Sequence, residues 1–255
     1  MNELLKMTAH QVKEGKFDKV ILAIGSCEAH GQHLAEGCDT IVSYELSKQV
    51  ADRVPGMLVL PPITVGYSGH YDTFPFTLTF DYETMIHVIY DIVESVLRNG
   101  INKIFLMNGH DGNIAPIEIA ARKIKEKYPD ARIASLPEWW VIAGKLVPEG
   151  TFAVWNGLGH AGEGETSIAY HLFPQWCEPD QATCVVPDHL PEHVDIKWDF
   201  AEITDTAQTD DATVATAAKG KLMNDCLVEA VVKDIEALEK TGWNYNTSHC
   251  ATKLK

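Results

Sequence analysis

The 255-residue chain carries 21 Lys and Arg against 36 Asp and Glu, a net charge of −15, with 45% hydrophobic residues. That balance describes an ordinary globular protein with a real core, and it excludes nucleic acid as a partner, because no basic patch offsets the acid. No apolar run approaches the roughly 20 residues that cross a bilayer, and the start, Met1-Asn2-Glu3-Leu4-Leu5-Lys6, lacks a basic segment followed by an apolar stretch; a cytoplasmic location and no membrane partner are expected.

Lys19 to Gly25 (KVILAIG) is a short β-branched apolar run without polar alternation, the pattern of a strand buried on both faces. A helix is expected over about Ile41 to Val54, ending before Pro55, and a second strand over Met57 to Leu60. Asp81-Tyr82-Glu83 opens a helix with acidic first-turn residues, and Asn99-Gly100 closes it. Lys103 to Met107 reads as a strand, Ile114 to Tyr128 as a helix and Arg132 to Leu136 as another strand. A short helix is expected over Thr166 to Phe173, and a long one over Ala212 to Lys240 with a break near Gly220. Strands alternating with helices imply parallel pairing and a sheet covered on both faces, hence one α/β domain over 1–255. The six cysteines form no CxxC pair, so they read as buried small hydrophobes rather than disulfides or a zinc-cysteine cluster.

In an open α/β sheet, function gathers in the turns that leave the carboxyl ends of strands. The first strand is followed by Glu28, His30, His33 and Asp39, and the KIFLM strand by the turn holding His110. Carboxylates and imidazoles at that density suit zinc, manganese or iron, which accept mixed nitrogen and oxygen ligands. A third, glycine-rich cluster runs from Gly159 through His160 to Glu165 and Thr166. Each residue also has a plain reading. Asp39 before a helix is an N-cap, Glu165 a partner for the helix dipole, and His110 a ring that satisfies loop backbone.

The arrangement resembles the creatininase (creatinine amidohydrolase) family. Its Gly-Ser-x-Glu-Gln-His-Gly-Pro-His-Leu-Pro hallmark is matched by Gly25-Ser26-Cys27-Glu28-Ala29-His30-Gly31-Gln32-His33-Leu34-Ala35, with Asp39 following. Asn108-Gly109-His110-Asp111-Gly112-Asn113 matches a second hallmark, and His160-Ala161-Gly162 with Glu165-Thr166-Ser167 a third. The resemblance implies a three-layer α/β/α fold with a mostly parallel sheet and two divalent metal ions per subunit, Zn2+, Mn2+ or Fe2+. Glu28 and His30 would ligate different ions and Asp39 would bridge them, with His110 completing one coordination shell and Glu165 the other. Creatininase itself places a carboxylate ligand two residues after the turn histidine, where this chain has Gly112; members with the glycine-rich turn use the later glutamate, so Glu165 inherits that role. The departure also argues against creatinine as substrate and marks a divergent branch.

Paired ions activate water and polarise a carbonyl, so the function expected is hydrolysis of a small cyclic amide or N-acyl substrate. The competing readings are hydrolysis of a carbon-carbon bond in a cyclic diketone of inositol breakdown, the 3-dehydro-scyllo-inosose type, and a non-catalytic metal-binding protein. His160 is the candidate for proton transfer, although it could instead orient a ligand. His33 is expected to orient a ligand or touch substrate, and His70 to face the pocket. Asp111, in place of the commoner glycine, touches substrate or caps a helix. Trp155, with Trp139 and Trp140, forms a lid by resemblance or packs a core. Phe76 stands where the family has glycine. A ring-like homo-oligomer, a hexamer, is implied by the resemblance alone.

Overall fold

The computed structural model describes residues 2–187, 193 and 197–244. In chain order its elements are α1 (Ala9–Glu14), β1 (Lys19–Ile24), α2 (Cys38–Arg53), β2 (Met57–Val59), α3 (Tyr82–Arg98), β3 (Lys103–Asn108), α4 (Ile114–Lys127), β4 (Arg132–Leu136), α5 (Trp139–Leu146), α6 (Glu163–Leu172), β5 (Cys184–Val185), β6 (Asp210–Asp211) and α7 (Ala217–Lys240). The main sheet runs β2-β1-β3-β4 with every pair parallel, and β5 and β6 form a small antiparallel pair.

The period-2 geometry of the strands divides the core in two. Ile21, Met57, Phe105 and Met107 point to one face and pack against α2, α5, α6 and α7. Val20, Leu22, Ile24, Ile104 and Leu106 point to the other and pack against α3 and α4. Strands buried on both faces have no polar side to alternate, which is why KVILAI is an unbroken apolar run, buried throughout. The result is a three-layer α/β/α architecture. Among the described residues, no helix is long and apolar enough to cross a membrane.

The chain leaves β1 toward β2 on one side and toward β3 on the other, so β1 and β3 flank the point where strand order reverses, and a crevice opens at their carboxyl ends. Ile24 pairs with Asn108 at that end, and Gly109 donates its N–H to Ile24 O at 2.7 Å. The N-terminus of α2 lies directly over this turn. A Cβ on Gly109 would come within 2.4 Å of Asp39 O, so only glycine admits the helix so close.

Several sequence expectations shift. The first long helix starts at Cys38 rather than Ile41, and Gly37 is its N-cap. Asp39 is therefore no cap; it lies inside the first turn with its side chain turned elsewhere. The third-motif helix begins at Glu163, not Thr166, so Glu165 is also a first-turn residue. Residues Ala212–Val214 form a separate single turn, and α7 then runs unbroken through Gly220, because that glycine packs against α6 rather than ending a helix. Helices α1 and α5 and the β5-β6 pair were not expected. The cysteines described are free, but Cys184 is exposed and only Cys38 is fully buried; Cys250 lies outside the described residues.

Candidate metal centre

Glu28, His30, Asp39, His110 and Glu165 converge at the carboxyl ends of β1 and β3, all buried. His110 sits in the turn after β3, where Asn108 Nδ2 donates to its carbonyl at 2.7 Å. Its ring donates from Nε2 to Tyr67 O at 2.7 Å. That bond leaves the Nδ1 lone pair facing Glu28 Oε1 and Asp39 Oδ2, each 3.1 Å away. His30 is built the same way with the nitrogens exchanged: Nδ1 donates to Glu28 O at 3.1 Å, and Nε2 stands 2.9 Å from Asp39 Oδ1. Asp39 thus offers one oxygen to each imidazole, while Ser26 Oγ donates to Oδ2 at 2.7 Å. Glu165 enters from α6, with Oε2 accepting from Ala161 N at 2.7 Å and lying 4.0 Å from His30 Nε2.

A lone pair aimed at a carboxylate is repulsive unless a cation lies between them. In a metal-free protein only a proton can serve. Burial pushes His30 down, but the Asp39, Glu165 and Glu28 carboxylates outweigh it and raise its pKa to about 10. His110 is likewise driven well above the usual histidine value by Glu28 and Asp39 against its burial. Burial favours a neutral Asp39, yet the two imidazoles hold its pKa below the usual carboxylate value. Glu165 rises to about 7, chiefly through burial, with Asp39 and Glu28 adding to it and His30 opposing. Glu28 Oε2 is buried without a hydrogen-bond partner and Oε1 has only the His110 ring beside it, a costly state for a carboxylate. Orphaned oxygens, ring nitrogens anchored through backbone carbonyls and a shared aspartate suit divalent-metal binding. Glu28, Asp39 and His110 form one group of ligand atoms within 4.8 Å of one another, and beside it His30 Nε2 stands 2.9 Å from Asp39 Oδ1 and 4.0 Å from Glu165 Oε2.

Gly112 has no room for the carboxylate that the resemblance places there in creatininase. A Cβ would meet Tyr67 O at 2.2 Å and His110 Nε2 at 2.6 Å, inside the bond that anchors His110.

Above the cluster is a cavity of about 340 Å³ with Asp39, His110 and Glu165 in its lining. Of the residues expected at the substrate, His70, Asp111, His160 and Trp155 also line it. His160 donates from Nε2 to Ala29 O at 2.8 Å and packs on His30 and Tyr71, ring centres 4.3 and 4.6 Å away. Burial and the neighbouring His30 charge hold it well below the usual histidine value. His70 falls to about 4 through burial and His110.

His33 is elsewhere. It is fully buried behind α6, its Nε2 2.7 Å from Thr166 Oγ1, and it does not line the cavity, so the expected substrate contact is corrected. Of the tryptophan pair, Trp140 lines the cavity and Trp139 is buried in the core. Sequence reasoning missed Tyr71, Trp198 and Phe200, also in the wall; no motif marks them. Ser26 it could have found, since the serine belongs to the first hallmark.

The family model described as creatininase, creatinine amidohydrolase, matches residues 5–235. The chain belongs to the creatininase family. It is 28% identical over 231 residues to the creatinine amidohydrolase of Pseudomonas putida, covering 85% of this chain and 88% of that one. It is 25% identical over 242 residues to the mycofactocin precursor peptide peptidase of Mycobacterium ulcerans (strain Agy99), covering 89% and 90%. A solved creatininase structure designated Mn superposes with a TM-score of 0.77 at 26% identity, covering 92% of this chain and 98% of that one. Members of the family are thus hydrolases, an amidohydrolase and a peptidase among them. Similarity near a quarter fits a divergent branch.

Proposed function

We propose that the protein is a divalent-metal-dependent hydrolase of amidohydrolase type, with two ions per chain, cleaving the carbon–nitrogen bond of a small cyclic amide or N-acyl compound. The observation that supports it is the turning of two backbone-anchored imidazoles onto the two oxygens of one buried aspartate. The donor set of nitrogen and oxygen suits zinc, manganese or iron. When bound, such ions polarise a carbonyl and lower the pKa of water.

The chain's own residues do the rest. Glu28 and His110 would hold one ion and His30 and Glu165 the other, with Asp39 serving both, while the carbonyls of Tyr67 and Glu28 fix the rings. The aromatic wall of Tyr71, Trp140, Trp155, Trp198 and Phe200 takes a flat substrate and keeps water out. His160, neutral and tied through Nε2, presents a bare Nδ1 that can take a proton from the attacking water and hand that same proton to the leaving nitrogen.

Elemental analysis by plasma mass spectrometry tests this reading. About two ions per chain are expected, fewer in Glu28→Gln and in Glu165→Ala, with activity lost on chelation and restored by manganese or zinc. A parent chain that takes up no ion from either solution would sink it. Cyclic amides, N-acyl compounds and cyclic diketones screened side by side separate carbon–nitrogen from carbon–carbon cleavage.

With this function goes a homo-oligomer, a hexamer. The resemblance to the family suggests it, and Phe76, 87% exposed on a left-handed backbone (φ 55°), is one apolar side chain that a contact between copies would cover. Mass photometry should give six times the chain mass, and a monomer would refute it.

A further inference from the structure

The first-motif loop and α6 each supply one group to the second ion position, and these groups, His30 and Glu165, stand 4.0 Å apart. Something must hold that gap, because the two segments are remote in the chain. Three residues beyond His30 the same loop carries His33, whose Nε2 reaches the hydroxyl of Thr166, next to Glu165, at 2.7 Å across a separation of 133 positions.

Thr166 Oγ1 donates its own proton to Ala161 O at 3.0 Å. It can therefore only accept from the ring, and His33 carries its proton on Nε2. Nδ1 is then a bare acceptor, buried without any hydrogen-bond donor. Gly31, at φ +64°, lies against that nitrogen, where a Cβ would come within 2.6 Å. Ala161 is itself left-handed (φ 48°), a conformation that a residue with a side chain holds only when its surroundings impose it. Its N–H is the one that donates to Glu165 Oε2. An apolar side chain would pack this space without stranding a nitrogen, so the histidine is there for the bond it makes.

We propose that His33 is a positioning residue. Through Thr166 it fixes the distance between His30 and Glu165, and through Thr166 and Ala161 it aims the Glu165 carboxylate. The inference rests on the two-ion reading above.

The test compares the parent with His33→Ala, His33→Gln, Thr166→Val and the double variant His33→Ala/Thr166→Val. Each is loaded with zinc, desalted, analysed for ion content and titrated against a chromophoric chelator. His33→Ala and Thr166→Val should each weaken one of the two ions by about 10- to 100-fold and leave the other unchanged. The double variant should be no weaker than either single one, since both changes cut the same path. His33→Gln, whose amide can donate from the place of Nε2, should recover most of the loss. Parent-like binding of both ions in His33→Ala, or equal weakening of both without rescue by glutamine, would overturn the proposal. Should His33→Ala not fold, Thr166→Val carries the same comparison. A parent without ions would instead defeat the hydrolase reading, and the relay would then be read in nitrogen-15-labelled protein. There His33 must show the Nε2–H tautomer, and the Ala161 amide signal must move in Thr166→Val; an unmoved signal overturns the relay.

Discussion

Asp39 faces His30 with one oxygen and His110 with the other, and this fixes how the centre responds to pH. The His30 pKa of about 10 lies above the usual histidine value, so in metal-free protein its bond to Asp39 stabilises the fold fully below about pH 6.5. That stability is lost as pH rises through about 10. Metal-free protein should therefore melt at a lower temperature at pH 10 than at pH 7, and bound zinc should reduce the difference. A flat melting profile in the metal-free form would contradict it. An ion must also displace the imidazole protons, so zinc affinity should rise with pH, by up to about tenfold per pH unit for each proton released. His160 belongs to a different class of residue. His160→Ala should lower kcat by about 10²- to 10⁴-fold with ion content unchanged, whereas a loss of ions would reassign it to metal binding. Four of the ligand candidates, Glu28, His30, Asp39 and His110, could be singled out because they crowd the turns after two strands, whereas Glu165, on α6, was reached only through the resemblance. Tyr71, Trp198 and Phe200 could not be, since an aromatic residue in a pocket wall leaves the same trace as one in a core.

Helix α7 crosses α6 at Gly220, where a Cβ would come within 1.8 Å of Ser167 O. The glycine that suggested a helix break is instead the point at which two helices touch backbone to backbone. Gly220→Ala should destabilise by about 1–3 kcal/mol through overpacking, lowering Tm by about 2–4 °C for each kcal/mol; a higher Tm would show that the crossing has slack. Beside it the buried Glu163 carboxylate pairs with Lys219 and accepts from Ala153 N at 2.6 Å, which ties α6 and α7 at the end nearest the site. Strands β1, β3 and β4 and helices α3 and α4 were legible almost to the residue, because periodicity and caps agree; the Asp81 side chain accepts from Thr84 N at 2.6 Å at the start of α3. Helices α2 and α6 were read three residues too short at their N-termini. There the residues that should advertise a cap, Asp39 and Glu165, are turned toward the site. Helix α5 (WWVIAGKL) was missed because a nearly continuous apolar run carries no helical period.

At the scale of the whole molecule, the cavity shares His70, Asp111 and Trp198 with an adjoining groove of about 890 Å³. Trp155→Ala and Trp198→Ala should raise KM more than they lower kcat, because both rings lie in the wall beyond the ligand cluster; an equal loss in both parameters would make them part of the reacting centre. The layered architecture was legible from alternating strands and helices. The cavity was not, because segments far apart in sequence enclose it, the aromatic turn at Trp155 and the stretch from Trp198 to Ile203.

The order in which the ligands appear along the chain also bears on how the protein is made. Glu28, His30 and Asp39 fall within twelve positions at the N-terminal end, whereas Glu165 arrives only with α6. A ribosome would expose the first three, then His110, well before the last carboxylate is synthesised. On the two-ion reading, the growing chain would capture one ion early, and the other position would be complete only when α6 docks against α7. Truncated chains ending near position 150 should bind one ion loosely and the full-length chain two, so metal supply during synthesis becomes part of the folding problem.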